Sequence, residues 1–370
     1  MSTVEEYERA GLYDPIGDAT NGRIELLSWL VEQGFTIPEM QQAFAADALV
    51  AMPGDRRMVP GERMTRARAI EESGLTPEDF DAYATAFGFV AIEGSPAGEV
   101  GYTAAEVETL AAVSMLASVF SPEEAKSLVR VIGSSLARIG EAAVSLFLAD
   151  IESPHVLSGA REIELAHSVY DAVGLLDGLA ERLDPVLRRL MLQAVERTRQ
   201  TSIDITERFQ YRYAVGFVDL VGFTAMSSHM DAPALSAFMG RFEGQAHDVA
   251  TGAGARVVKL IGDEVMFIAT DAAAACRAAI ALMEAFNGEY VGVVPRGGMA
   301  YGNVVLRGGD YYGSVVNLAA RLVDEAVPLE LLVTDELADA AVDCEFEPAG
   351  RRMVKGFDEA VSVRSMTADG

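Results

Sequence analysis

Cysteine is nearly missing from this chain, with only Cys276 and Cys344 among 370 residues. Their spacing fits no metal-binding pattern, and both sit in apolar or strand-like contexts. They read as reduced core residues of a cytoplasmic protein. Positive charge is scarce as well. Lysine and arginine number 29 against 56 aspartates and glutamates, a formal net charge of −27. Such a surface repels phosphate backbones and anionic lipid, so no nucleic-acid partner is expected. Long apolar runs are also lacking. The longest, Tyr102 to Phe120, contains Glu106 and Glu108. No segment reaches the roughly 18 uninterrupted apolar residues of a membrane span, so none is expected. The opening "MSTVEEYERAGLYD" is acidic and has no apolar stretch of the signal-peptide kind. The expected localisation is cytoplasmic.

What is present divides the chain in two. A length of 370 residues, half of them hydrophobic, suits two packed domains. From Gly22 to about Leu183 the texture is helical. Thr36 with Glu39, Thr76 with Asp79, Thr103 with Glu106 and Ser121 with Glu124 each place a capping hydroxyl three residues before an acid. Apolar residues then recur at spacings of three and four, as in Leu110, Val113, Leu116, Ala117 and Phe120. An all-α domain of about eight to ten helices is expected. Within it "EQGFTIPEM" echoes "ESGLTPEDF", each like the turn and second helix of a helix-turn-helix. The acidic field opposes DNA contact there, and two capped bundle helices explain the echo equally. His155 and His167 stand alone, without a nucleophile nearby in sequence. Leu183 to Gln210 reads as a helix starting near Pro185, followed by a short extended piece. The expected division is 1–183 for the helical domain, 184–206 for a linker helix and 207–370 for a second domain.

From Tyr211 the pattern becomes α/β. "YRYAVGFVDL" reads as a strand, "DAPALSAFMGRFEGQAHDVATG" as a helix, and "ARVVKLIGDEVMFIAT" as two strands joined at Gly262 and Asp263. A helix, a strand with a hairpin-like extension and the helix "SVVNLAARLVDEA" follow. That order gives a ferredoxin-like βαββαβ palm with additions, and an α+β chain overall. In this topology Asp219, near the end of the first strand, and Asp263, in the hairpin turn, converge. Two carboxylates make a hard-oxygen site for Mg²⁺ or Mn²⁺, completed by substrate phosphates. Each alone is explained equally well as a turn cap.

Phe217-x-Asp219-x-x-Gly222-Phe223-Thr224, Lys259-x-x-Gly262-Asp263, and Asp310-Tyr-Tyr-Gly313-x-x-x-Asn317-Leu-Ala-Ala-Arg321 occur in order, with the two aspartates 44 residues apart. With these pieces the stretch from about Glu207 to Arg364 resembles a class III nucleotidyl cyclase catalytic domain. "GGDYY" and "IGDEV" look superficially like the GGDEF signature of diguanylate cyclases, but neither matches it.

The resemblance implies roles. Asp219 and Asp263 are similar to the family's ligands for two divalent cations, Mg²⁺ or Mn²⁺. Asn317 and Arg321, one helical turn apart, resemble the pair that positions the ribose and neutralises the α-phosphate. Lys259 and Asp310 match the adenine-reading pair of adenylyl cyclases. A lysine donor and an aspartate acceptor complement adenine N1 and N6, whereas guanine presents the opposite pattern. ATP is therefore the expected substrate. Lys355 in "MVKGFD" resembles a lysine that contacts the triphosphate. The family builds its site between two catalytic domains, metals on one and transition-state residues on the other, so a homodimer is implied. A helical domain joined to such a cyclase is similar to the bacterial pH-responsive adenylyl cyclases. Proton regulation, through His155, His167 or interdomain carboxylates, is expected of the N-terminal domain; its apolar helices leave room for a lipid-like ligand as well, though ordinary core packing explains them better. The alternatives are an inactive nucleotide-binding cyclase-homology module and a nucleotide-responsive DNA-binding regulator.

Overall fold

The computed structural model describes residues 4–18, 21–89, 101–201, 210–288 and 292–367. The chain separates into two compact units, Met1–Val186 and Leu187–Gly370.

Among the described residues of the first unit the regular structure is helical, apart from one isolated bridge, Met64 to Tyr102. Its helices are α1 (Val4–Arg9), α2 (Arg23–Glu32), α3 (Ile37–Ala45), α4 (Met52–Met58), α5 (Arg66–Ser73), α6 (Pro77–Phe87), α7 (Ala104–Val119), α8 (Pro122–Phe147), α9 (Ser153–Ser158) and α10 (Glu162–Gly174). A π turn, Leu148–Glu152, joins α8 to α9. The four capping hydroxyls are where the sequence puts them. Thr36, Thr76, Thr103 and Ser121 each accept a bond from the backbone N–H three residues on. Thr36 with Glu39 and Thr103 with Glu106 close full capping boxes. One core gathers Tyr7, Leu26, Leu30, Phe35 and Met40 with Ile163 of α10. A second gathers Phe80, Tyr83 and Tyr102 with Leu110 and Val129. Arg23 ties the first core to α10 through an ion pair with Glu162.

One helix bears on the expectation of no membrane span, and one expectation changes. The helical run Pro122–His155 is long and apolar enough, by length and composition, to cross a membrane: 34 residues with a mean hydropathy of 1.4 over its most apolar stretch. Charges such as Arg138 and Glu141 interrupt it, so it contains no uninterrupted apolar run of that length. Its Leu136, Ile139 and Val144 are exposed rather than packed in a core. The change concerns Pro185. Helix α11 (Leu179–Thr201) begins six residues before it, so the proline lies inside the helix rather than at its start. The extended piece expected after this helix falls on 202–209, outside the described residues.

The second unit carries one eight-stranded sheet in the order β2-β3-β1-β4-β6-β8-β7, with β5 paired to β4. Its strands are β1 (Gln210–Val221), β2 (Arg256–Ile261), β3 (Glu264–Ala269), β4 (Val294–Arg307), β5 (Asp310–Tyr312), β6 (Glu330–Thr334), β7 (Glu347–Arg352) and β8 (Val361–Thr367). The short helix α12 (Phe223–Ser227) follows β1, and α13 (Ala232–Gly252) and α14 (Ala272–Phe286) provide the crossovers. Later come α15 (Ser314–Glu325) and α16 (Asp335–Ala340). The first four strands and their two helices form the βαββαβ palm, with β1 antiparallel to both β3 and β4.

β1 is buried on both faces, which is why its sequence reads as a nearly continuous apolar run. Ala214 and Val218 pack with Phe238, Phe242 and the alanines of α14. Tyr213, Val215 and Phe217 pack on the opposite side, with Ala319 and Val323 of α15. The period-two alternation of a strand puts Asp219 on this α15 side.

Candidate active site

Asp219 lies one residue past the last β1–β3 pair, Val218 with Val265. Asp263 occupies the two-residue turn between β2 and β3, where Gly262 takes a φ of 64°, a conformation that favours glycine. Strand pairing thus brings the two carboxylates to one corner. Their proximity is felt electrically: burial raises the Asp263 pKa above its ordinary value, and the charge of Asp219 raises it further. Arg296 and the Asp263 backbone pull the other way.

Glu264 and Arg296 complete this corner, and neither was picked out from sequence. Burial, followed by the charges of Asp219, Asp324 and Asp263, pushes Glu264 up to about 7. Arg296 sits on β4 directly opposite Asp219 in register. Its Nε and Nη2 both donate to Asp219 Oδ2, at 3.1 Å each. The third nitrogen, Nη1, donates to the backbone carbonyl of Asp324 at 3.4 Å. These residues are 77 positions apart, so only strand register reveals the pair; Glu264 was legible as the acid beside Asp263.

Asn317 and Arg321 project from α15 into a cavity of about 590 Å³ that Lys355, Glu264, Asp324 and Phe357 also line. This size is in the range of small-molecule pockets. Arg321 pairs with Asp324 at 3.4 Å and is about half exposed. Lys259 and Asp310 do not line this cavity. They form an ion pair with each other, from β2 to β5, and Tyr311 N–H donates to Asp310 Oδ1 at 2.8 Å. The seven predicted site residues therefore fall into three groups: Asp219 with Asp263, Lys259 with Asp310, and Asn317 with Arg321 and Lys355.

Among the described residues, no three or more His, Cys, Asp or Glu gather as a ready metal cage. Two carboxylates do gather, and the burial and neighbouring Asp219 charge that raise Asp263 are what a hard dication would offset. The donor set fits Mg²⁺ or Mn²⁺ with further oxygens from a phosphate ligand.

In the first unit, His155 Nδ1 lies 2.6 Å from the Ile151 carbonyl of the π turn, and Nε2 lies 3.1 Å from Ser168 Oγ. His167 meets the edge of Trp29, ring centroids 4.4 Å apart.

Residues 6–201 match the adenylate cyclase regulatory domain, and residues 208–364 match the adenylate and guanylate cyclase catalytic domain. The chain belongs to the class III adenylate cyclases. An uncharacterized protein of Mycobacterium tuberculosis is 31 % identical over 96 % of this chain and 91 % of its own length. An adenylate cyclase of Streptomyces coelicolor is 32 % identical over 78 % of this cyclase and 74 % of that relative. A pH-sensitive adenylate cyclase of M. tuberculosis is 28 % identical, over 96 % and 91 % of the two chains. Among solved structures, the adenylyl cyclase CyaB of Pseudomonas aeruginosa is 25 % identical over 42 % of this chain and 93 % of that one, at a TM-score of 0.39.

Proposed function

We propose that this cyclase converts ATP to 3′,5′-cyclic AMP and pyrophosphate at a site shared by two copies of the chain. The observation that carries the reading is the grouping of the site residues. The cavity holding Asn317, Arg321 and Lys355 includes neither Asp219, Asp263, Lys259 nor Asp310 in its walls. Glu264 and Asp324 bring the carboxylate corner to the rim of that cavity, while Lys259 and Asp310 stand apart from it; in this reading a second copy completes a site drawing on all seven, with the carboxylate pair of one protomer facing the α15 residues of its partner.

In this reading Lys259 donates to adenine N1 and Asp310 accepts from N6, which orients the base. Asn317 holds the ribose so that its 3′-oxygen addresses the α-phosphorus. Arg321 neutralises charge that develops on the α-phosphate, and Lys355 holds the triphosphate chain. Asp219 and Asp263 would hold two divalent cations, which lower the pKa of the 3′-hydroxyl and stabilise the leaving pyrophosphate. The N-terminal helical domain regulates the reaction in response to pH. Support comes from the regulatory-domain match and the likeness to a pH-sensitive relative.

Two experiments test the reading. Cyclic AMP formation by the purified full-length chain is measured with ATP and Mn²⁺ from about pH 5.5 to 8, the window in which histidines titrate. A rise toward acid supports catalysis and regulation together; flat activity removes the pH control; no product removes the enzyme reading. Then Asp219→Ala and Asn317→Ala, each inactive alone, are mixed. Random re-pairing leaves one intact site in the mixed dimers, and recovery of about a quarter of wild-type activity is expected. No recovery sinks the shared site.

A further inference from the structure

Arg256 and Lys259 stand on the same strand, β2, at an odd separation. On a regular strand they would face opposite ways. The β2–β3 register slips between Val257 and Lys259, and such a bulge re-aims the side chains that follow it. Both side chains consequently reach β5, Lys259 to Asp310 and Arg256 to Tyr311. Arg256 Nη2 donates to the Tyr311 hydroxyl at 3.1 Å, and the Tyr311 N–H donates to Asp310 Oδ1 at 2.8 Å. The Tyr311 ring meets that of Tyr213 on β1 edge-on, with centroids 5.3 Å apart. The Tyr213 hydroxyl hydrogen-bonds with Tyr311 and with Thr201, the last residue of α11. Thr201 Oγ1 donates in turn to the Arg197 carbonyl at 2.9 Å. Tyr213, Tyr311 and Thr201 are all buried, so water does not stand in for these bonds. One proton order lets each hydroxyl accept once and donate once: Arg256 to Tyr311, Tyr311 to Tyr213, Tyr213 to Thr201, Thr201 to the Arg197 carbonyl.

We propose that Arg256, Tyr311 and Tyr213 are positioning residues for the Lys259–Asp310 pair, and that their buried chain of hydroxyls makes the choice of adenine depend on how the last turn of α11 is seated on the sheet. The inference rests on the adenine-reading role of that pair. Asp310 opens β5, a strand of three residues whose ladder partner is β4. So short a ladder sets the position of a side chain loosely. The adjacent Tyr311 supplies a second anchor, fixed from one side by Arg256 and from the other by Tyr213. Reading a base edge needs such support, because a hydrogen bond weakens steeply once its partners are out of line. The chain ends on Thr201, so a shift of that turn reaches Asp310 through two tyrosines. Rings that merely fill the core make a different prediction. Loss of a hydroxyl then lowers turnover of every nucleotide alike and leaves the preference between bases untouched.

The test is selection between ATP and purine riboside triphosphate, which keeps N1 but lacks the 6-amino group from which Asp310 would accept. kcat/KM is measured for both with the full-length protein and Mn²⁺. Tyr213→Phe keeps the ring and removes one hydroxyl; Thr201→Val keeps the branched shape and removes the other. Each is expected to lower the ratio of kcat/KM for ATP to that for the analogue about fivefold, through KM for ATP more than through kcat. The two hydroxyls belong to one chain, so the double variant should lose no more than the larger single loss. A ratio within about twofold of wild type in both single variants overturns the proposal, whether or not the two rates fall together. If Tyr213→Phe does not fold, Thr201→Val decides on the same criterion. Asp310→Ala separates the two levels, and should bring the ratio to about one. If Asp310→Ala leaves the ratio as in wild type, the adenine-reading role itself fails. If it collapses the ratio while Tyr213→Phe and Thr201→Val keep it, only the role of the hydroxyl chain fails.

Discussion

Lys259 and Asp310, 51 residues apart in sequence, form an ion pair between β2 and β5 with both side chains partly exposed. The donor and the acceptor that would read adenine therefore satisfy each other, and a base has to separate them and replace both partners. Only a base offering an acceptor and a donor in the right order does so without leaving a polar group unpaired. Lys259→Ala should lower kcat/KM for ATP by about 10²-fold or more, while GTP turnover stays near background. Initial rates with both nucleotides check this. Equal losses for ATP and for a base-modified analogue lacking N1 would remove Lys259 from base recognition.

Asp219→Asn and Asp263→Asn should each abolish cyclic AMP formation while leaving the fold intact. Burial and the charge of Asp219 both oppose an ionised Asp263, so neutralising Asp263 relieves strain, whereas Asp219→Asn also gives up the ion pair with Arg296 and costs some stability. Thermal unfolding of the metal-free Asp263→Asn variant should occur at or slightly above the wild-type temperature. A variant that both lost activity and melted well below wild type would point to a structural role for the carboxylate.

Much of this was legible before the fold was known. Thr36, Thr76, Thr103 and Ser121 announce helix starts because a cap is a local device, settled within four residues. The palm was legible because β1, buried on both faces, has an unbroken apolar pattern, and because its aspartate interrupts that pattern near the strand end. Arg296 was not legible. Its partner is assigned by β1–β4 register, and nothing within several residues of "VPRGG" signals it. The exposed apolar face of α8 was missed for a related reason: Leu136 and Ile139 look like core residues in sequence, and only the positions of the other described helices of this unit reveal that these do not cover them.

In the helical unit, acid stability has a clear sign. Thr36 donates to Glu39 from its backbone N–H and its hydroxyl, and holds the Glu39 carboxyl below its ordinary pKa. Arg66 does the same for Asp81, and Arg161 for Glu164. A carboxyl lowered in the folded chain stabilises the fold above its unfolded pKa, and that contribution is lost as pH falls through the folded value. With an unfolded glutamate near about 4.3, the loss begins below that pH. These three carboxylates stay charged from pH 5.5 to 8 and cannot supply a response in that window. Urea midpoints of wild type and Glu39→Gln should differ at pH 7 and converge near pH 3. A constant gap across that range would show that the cap, not the charge, supplies the stability.

Gly298 decides where α15 lies. It is on β4, two residues from Arg296 and on the same face, directly beneath α15. A Cβ placed there would sit 2.5 Å from the carbonyl oxygen of Ala319 and 2.6 Å from the backbone nitrogen of Val323. These are main-chain atoms of a packed helix and cannot turn aside as a side chain can. Gly298→Ala must therefore lift α15, and with it Asn317 and Arg321, away from the sheet. Overpacking of this kind costs about 1–3 kcal/mol, so the protein should still fold at 25 °C with a lowered urea midpoint. A shift of even about 1 Å in a catalytic group is worth about 10²-fold in rate. The expectation is a large fall in kcat with a small change in KM for ATP, since Lys259 and Asp310 lie on strands and not on α15. Activity near wild type in a folded Gly298→Ala protein would mean that α15 has room to move without consequence, and would remove Asn317 and Arg321 from the transition state.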